Sequence, residues 1–214
     1  MSESSKSHKS KALKTLNFGV FICSTSRYNK IEAGEKEVSD VGGDMLVDLI
    51  EKAGQKVLFK KIIADDETMI QDATMYGLGL ENLDVVIFSG GTGITPTDIT
   101  IETVTPFLEK MLPGFGEFFR RISFDHVGSA AVLSRAVAGI AKGRVFFCIP
   151  GSPDAVKTAL EMLILRKNSP NPGSVFSRNG VTVSIVMSVG VIPVPPEKII
   201  TSKFSNPNPY IVAS

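Results

Sequence analysis

The segment DVVIFSGGTG, residues 84–93, decides how the chain is read. Its first half, Asp84 to Ser89, is a short run of β-branched and aromatic residues, the pattern of a strand covered on both faces. Its second half leaves that strand through Gly90, Gly91 and Gly93, and the next segment, ITPTDIT, places a lone carboxylate at Asp98. Two structures fit. One is a tight strand exit, with Asp98 capping the helix that follows. The other is a loop whose backbone N–H groups approach a phosphate, with a carboxylate close enough to hold a metal. The pattern matches neither G-x-G-x-x-G nor G-x-x-x-x-G-K-[ST], so GGTG alone does not separate them.

Outward from this segment, LNFGVFICS (16–24) and KVLFKKII (56–63) also read as strands, and RVFFCI (144–149) as a fourth. SDVGGDMLVDLIEKAG (39–54) reads as a helix capped by Ser39 or Asp40, with Leu46, Leu49, Ile50 and Ala53 on one face. Gly42 and Gly43 weaken its first turn, which predicts a start a few residues later. DETMIQDATMYGLG (66–79) is a second helix, capped by Asp65 or Asp66. Strand, helix, strand, helix, strand implies right-handed crossovers and a mostly parallel sheet, with ligands bound beyond the carboxyl ends of its strands. STSR (24–27), SGGTG (89–93) and IPGSP (149–153) lie at three such ends.

The second half predicts more helices. Val104, Phe107, Leu108 and Met111 form one apolar stripe, closed by Pro113-Gly114. Phe115, Phe118, Phe119 and Ile122 form another, suited to core or subunit interface. PDAVKTALEMLILRK (153–167) is a helix with Ser152 as N-cap and Pro153 as first residue, so Ser152 is a cap or a ligand group with equal weight. The expected architecture is α/β: one three-layer domain over 16–169 with a mostly parallel central sheet, a disordered polar tail over 1–15, and a β-rich extension over 170–214.

Composition narrows the function. The 214 residues are 43% hydrophobic and 21% charged, with a formal net charge of +1, which points to neither nucleic acid nor membrane. No apolar run is long enough to span a bilayer, and the Ser/Lys-rich N-terminus lacks the apolar core of a secretory signal. The two cysteines, Cys23 and Cys148, sit in apolar segments and read as reduced core thiols of a cytoplasmic protein. No Cys/His cluster has zinc spacing.

Four segments together carry a resemblance. SGGTGITPTDIT (89–100), PGFGEFFRRIS (113–123), AAVLSRAVAGI (130–140) and IPGSPDAV (149–156) resemble, in order and spacing, the molybdenum-cofactor biosynthesis family of MoaB/MogA type, which includes the gephyrin G domain. STSR, DVGGD and ADDE bring it nearer the MoaB branch. The resemblance implies a molybdopterin adenylyltransferase assembled as a homotrimer or a hexamer of two trimers, whose product passes to a metal-insertion protein. Its substrates would be ATP and molybdopterin, its cofactor Mg²⁺, and its eventual metal molybdenum or tungsten. It assigns Asp65 and Asp98 to metal placement. It assigns Ser89, Gly90, Gly91, Thr92, Gly93 and Thr95 to phosphate binding. Glu117, Ser134, Arg135, Pro150, Gly151 and Ser152 would line the same cleft. Many members have Arg where this chain has Thr97, so a bidentate phosphate partner is missing unless Arg27, Arg135 or a neighbouring subunit supplies one. That difference keeps a second reading open, a non-catalytic molybdopterin- or nucleotide-binding protein.

Overall fold

The computed structural model describes residues 15–165 and 212–213. The expected N-terminal tail and C-terminal extension otherwise lie outside the described residues. Strand β1 (Asn17–Cys23) is followed by helices α1 (Thr25–Glu32) and α2 (Val41–Lys52), then β2 (Lys56–Ile63), α3 (Glu67–Gly79) and β3 (Val85–Ser89). The chain continues through α4 (Thr100–Val104), β4 (Lys110–Met111), α5 (Pro113–Val127), β5 (Val137–Ala141), β6 (Arg144–Ile149) and α6 (Pro153–Ala159). A two-residue β7 (Val212–Ala213) pairs antiparallel with β2 at Lys61 and Ile62.

The strand order is β4-β5-β6-β3-β1-β2-β7. The inner four strands, β6, β3, β1 and β2, are parallel, whereas β5 and β4 add on antiparallel. Period-two alternation divides the buried side chains between two faces. Phe18, Val20 and Ile22, Val85 and Ile87, and Val145, Phe147 and Ile149 face the layer of α2, α5 and α6. Phe21 and Cys23, Val86 and Phe88, and Phe146 and Cys148 face the layer of α3 and α4. The mostly parallel three-layer α/β architecture is therefore as the strand and helix patterns imply.

From β1 the chain crosses to β2 on one side, returns over β1 to β3, and from β3 runs on to the strands of the other side. This is the switch point of an open parallel sheet, where departing loops diverge and leave a crevice.

Three local expectations change. Helix α2 starts at Val41, not later: Asp40 caps it by accepting from the Gly43 N–H at 3.1 Å, and Gly42 packs against the Gly151 carbonyl. The Val104–Met111 stripe is not one helix. α4 ends at Val104, a 3-10 turn runs over Thr105–Phe107 around Pro106, and Met111 lies exposed on β4. Pro lacks an N–H and cannot continue a helical ladder. For the same reason Pro113 does not close that segment but opens α5 as its first residue. On α5, Phe115, Phe119 and Ile122 are buried, while Phe118, Phe124 and Val127 are exposed. No helix among the described residues is long and apolar enough to cross a membrane.

Candidate functional site

Four strand ends meet at the switch point. The Gly90 N–H donates to the Ile149 carbonyl at 3.0 Å, joining the loop after β3 to the turn after β6. A Cβ on Gly90 would stand 2.2 Å from the Cys23 carbonyl at the end of β1, and φ there is +108°. Gly91 is also left-handed, with φ +59°, and a Cβ on it would meet Thr100 Oγ1 at 2.3 Å and Asp65 Oδ1 at 2.6 Å. Both positions require glycine for backbone and for space. Pro150 and Gly151 lie beside Gly90, and Ser152 caps α6 by accepting from the Ala155 N–H at 3.3 Å.

The glycine conformations leave the loop's amides without acceptors. The N–H groups of Gly91, Thr92 and Ile94 make no hydrogen bond among the described residues. A buried or half-buried N–H without a partner is uncommon in a folded chain. Gly91 is half-buried and Thr92 buried, and two such N–H groups on successive peptide units offer a donor pair suited to an anion, whereas Ile94 is exposed and the Gly93 N–H bonds Asp98. Ser89 is buried at the end of β3, and Thr92 is buried within the loop.

Asp65 and Asp98 approach this loop from two sides. Asp66 caps α3 through the Met69 N–H, which leaves Asp65 uninvolved in capping. One oxygen of Asp65, Oδ2, accepts from the Thr25 N–H at 3.0 Å and the Thr25 hydroxyl at 3.1 Å. The other, Oδ1, is buried against Gly91 with no partner, and the hydroxyl of fully buried Thr100 beside it has none either. The Cys23 thiol behind them is pushed up to about 12 by burial. The Thr100 hydroxyl acts on that thiol in the opposite direction but makes no hydrogen bond of ordinary geometry.

Asp98 does not cap α4. Its carboxylate accepts from the Thr95 hydroxyl and, at 2.8 Å, from the Thr95 N–H, which closes a small turn beside Gly93. The Thr95 hydroxyl bond is the main cause that holds this carboxyl below its ordinary range, assisted by backbone N–H groups and the nearby Arg135 charge.

Arg135 spans both ends of the loop. Nε donates to the Thr92 carbonyl at 3.0 Å, and Nη2 donates to the Asp98 carbonyl at 3.2 Å. Nη1 and Nη2 also close a fork on the two oxygens of Glu102 in α4. That fork is the main cause that lowers the Glu102 carboxyl. Arg27 donates to the Ser39 carbonyl and pairs with Asp40 at 3.6 Å. Neither arginine stands unengaged at the loop in place of the arginine absent at Thr97. Glu117 is exposed on α5, and Ser134 ends the turn that leads into Arg135.

The structure thus gathers Asp65, Gly90 to Gly93, Thr95, Asp98, Arg135 and the Pro150–Ser152 turn around one crevice. Among the described residues no interaction links Glu117 to it. It adds Thr25, Thr100 and Glu102, which the sequence reading did not single out. Thr25 lies inside the STSR end of β1, and Glu102 one helical turn beyond Asp98, but neither belongs to a pattern specific enough to select it.

The family described as MoCF_biosynth, a probable molybdopterin binding domain, matches residues 19–168, and the chain belongs to that family. The molybdenum cofactor biosynthesis protein B of Bacillus cereus is 42% identical over 159 residues, covering 74% of this chain and 89% of that one. The molybdopterin adenylyltransferase of Pyrococcus furiosus is 42% identical over 160 residues, covering 73% and 89%. The crystal structure of the tungsten cofactor synthesizing protein MoaB from Pyrococcus furiosus matches with a TM-score of 0.62 at 40% identity, covering 70% of this chain and 91% of that one.

Proposed function

We propose that the chain is a molybdopterin adenylyltransferase of molybdenum or tungsten cofactor biosynthesis, and that the crevice between β1 and β3 is its active site. The observation that carries this reading is the pair of acceptor-free amides at Gly91 and buried Thr92, at a switch point and beside a carboxylate oxygen without a partner. An apolar or cationic substrate would leave those amides unpaired; a polyphosphate pairs them.

In the reaction an oxygen of the terminal phosphate of molybdopterin attacks the α-phosphorus of ATP. The new P–O bond forms as the bond between the α-phosphorus and its bridge to the β-phosphate breaks, and pyrophosphate leaves. The nucleophile is already anionic near neutral pH, so no side chain has to take a proton. The loop's part is to hold two anions in line and to neutralise charge with N–H donors placed in advance.

Carboxylates facing a polyphosphate need a cation between them. Among the described residues no group of three His, Cys, Asp or Glu could cage a metal. One or two carboxylates completed by phosphate oxygens and water are what Mg²⁺ takes, and the unpartnered Oδ1 of Asp65 fits that donor set. Asp65 would hold the ion, joined by Asp98, whose bonds to Thr95 both fall on Oδ2. When bound, Mg²⁺ offsets the negative charge of the phosphates and of the leaving pyrophosphate.

One observation favours the second reading, a non-catalytic binding protein: Thr97 offers no guanidinium, and Arg27 and Arg135 are both engaged. Incubation with molybdopterin, ATP and Mg²⁺, followed by mass analysis, separates the two. Adenylylated pterin with released pyrophosphate is expected. Pterin binding without any adenylylated product would leave only the binding role.

A further inference from the structure

Arg135 is held on one side of the loop only. A trans peptide points its carbonyl and its following N–H in opposite directions. Arg135 donates to the Thr92 and Asp98 carbonyls, so it lies on the carbonyl side, opposite the Gly93 amide. A charged donor on that carbonyl polarises the peptide and strengthens the N–H beyond it. Four hydrogen bonds engage four of the five N–H groups of a guanidinium, two of them made to Glu102. Arg135 is therefore built into the back of the loop and does not reach across its amide face.

Two neutral carbonyls do not balance a guanidinium. Glu102 does, and its two-point fork also fixes the plane of the guanidinium, which a single contact would leave free to swing. An exposed pair of this kind contributes little to global stability. Its consequence is local: it sets the spacing between Thr92 and Asp98, the two ends of the segment that carries the Ile94 amide and the Asp98 clasp, in which the Gly93 N–H also takes part. On the reading of this loop as the ATP site, we propose that Glu102 is a positioning residue for it. Glu102 holds Arg135 flat against the carbonyl side of residues 92–98, and so fixes the amide side that receives the phosphates.

The test is a double-mutant cycle on Glu102→Gln and Arg135→Gln, read by calorimetric titration with Mg-ATP and by amide hydrogen exchange in the ligand-free protein. Glu102→Gln keeps the shape and removes the charge. It is expected to raise the ATP Kd about tenfold and to quicken exchange at the Gly93 and Thr95 amides, which bond to Asp98, with the melting temperature nearly unchanged. In the Arg135→Gln background it should change neither. Should Arg135→Gln not fold, Glu102→Asp, too short to close the fork, should reproduce the loss. Parental Kd and exchange in both Glu102 variants would overturn the proposal. So would tighter ATP binding in Glu102→Gln, which would mean that Glu102 competes with phosphate for Arg135. Faster exchange in Glu102→Gln together with no ATP binding by the parent protein would uphold the positioning role and reject the adenylyltransferase reading.

Discussion

Two turns bring a carboxylate to the same glycine loop, each bonded through Oδ2 to the N–H and hydroxyl of a threonine, and they differ in what becomes of the other oxygen. After β2, Asp66 does the capping, so Asp65 bonds to Thr25 through one oxygen and keeps the other buried and without a partner. After β3, Asp98 turns its carboxylate back onto the N–H and hydroxyl of Thr95. A buried carboxylate oxygen with nothing to accept from is unfavourable until a ligand pairs it. A carboxylate already bonded in its own turn shapes that turn. Each carboxylate thus spends one oxygen, Oδ2, on its own turn. On the proposed reading the work still falls unequally, because the second oxygen of Asp65 is buried and without a partner while the bonds of Asp98 shape its turn.

The harshest way to break this comparison is to push Asp65 and Thr100 off Gly91. In Gly91→Ala the new methyl would stand 2.3 Å from Thr100 Oγ1 and 2.6 Å from Asp65 Oδ1, at a left-handed φ. Backbone strain and overpacking together should cost about 3 kcal/mol. Nucleotide binding should disappear even in the folded fraction, because both side chains and the loop amides must shift. Chemical denaturation and titration with ATP read the two effects separately. Parental stability and affinity would mean that the two oxygens do not rest on Gly91.

Asp65→Asn tests the inequality itself. The amide oxygen can still accept from Thr25, so stability should stay within about 1 kcal/mol of the parent. Adenylyl transfer should fall by about a hundredfold or more, the scale of losing one electrostatic contact made in the transition state. Single-turnover rates at saturating Mg²⁺ measure it. Asp98→Asn, which keeps an acceptor for the Thr95 N–H, should lose about tenfold on the same scale. Equal losses in the two variants would abolish the distinction between the turns.

How far the sequence reaches follows from the kind of signal each part leaves. The parallel strands were legible because burial on both faces writes a continuous apolar run, as in VFIC and VVIFS. The caps at Asp40, Asp66 and Ser152 were legible as residue types at fixed offsets from an apolar stripe. The choice between Asp65 and Asp66 was not, since both fit the offset and only the structure shows which side chain bonds the helix. α1 was missed because TSRYNKIE has no fully buried face, and helix-period reading depends on one. β5 was missed because VAGIA is short and small, and its antiparallel pairing with β6 is a tertiary fact. The break at Pro106 was readable from Pro alone and was obscured by an apolar stripe that happened to keep helical spacing. In the site, the glycines announced a close approach but not to what. Thr100 and Glu102 announced nothing, because a buried hydroxyl without a partner and a fork on a distant arginine exist only in three dimensions.

The mildest probe acts on the clasp that distinguishes Asp98. Thr95→Val removes the hydroxyl that accounts for most of the lowering of the Asp98 carboxyl and leaves the Thr95 N–H in place. That carboxyl should then titrate closer to its ordinary 3.8, which carbon-detected NMR follows directly. The sign for stability follows from linkage. A folded-state value held below the unfolded one contributes stability that is present above the unfolded value and is lost as pH falls through the folded one. The parent should therefore be more stable than Thr95→Val at neutral pH, with the difference closing below the ordinary carboxylate value. Asp98 is only partly buried and screened by water, so the difference at pH 7 should be of order half a kcal/mol. Adenylyl transfer should stay close to the parental rate, because the clasp engages only Oδ2 of Asp98 and the Thr95 N–H still holds the carboxylate in place. A large loss of transfer in Thr95→Val with an unshifted Asp98 titration would mean that Thr95 itself touches the substrate. The two aspartate turns would then differ in shape but not in function.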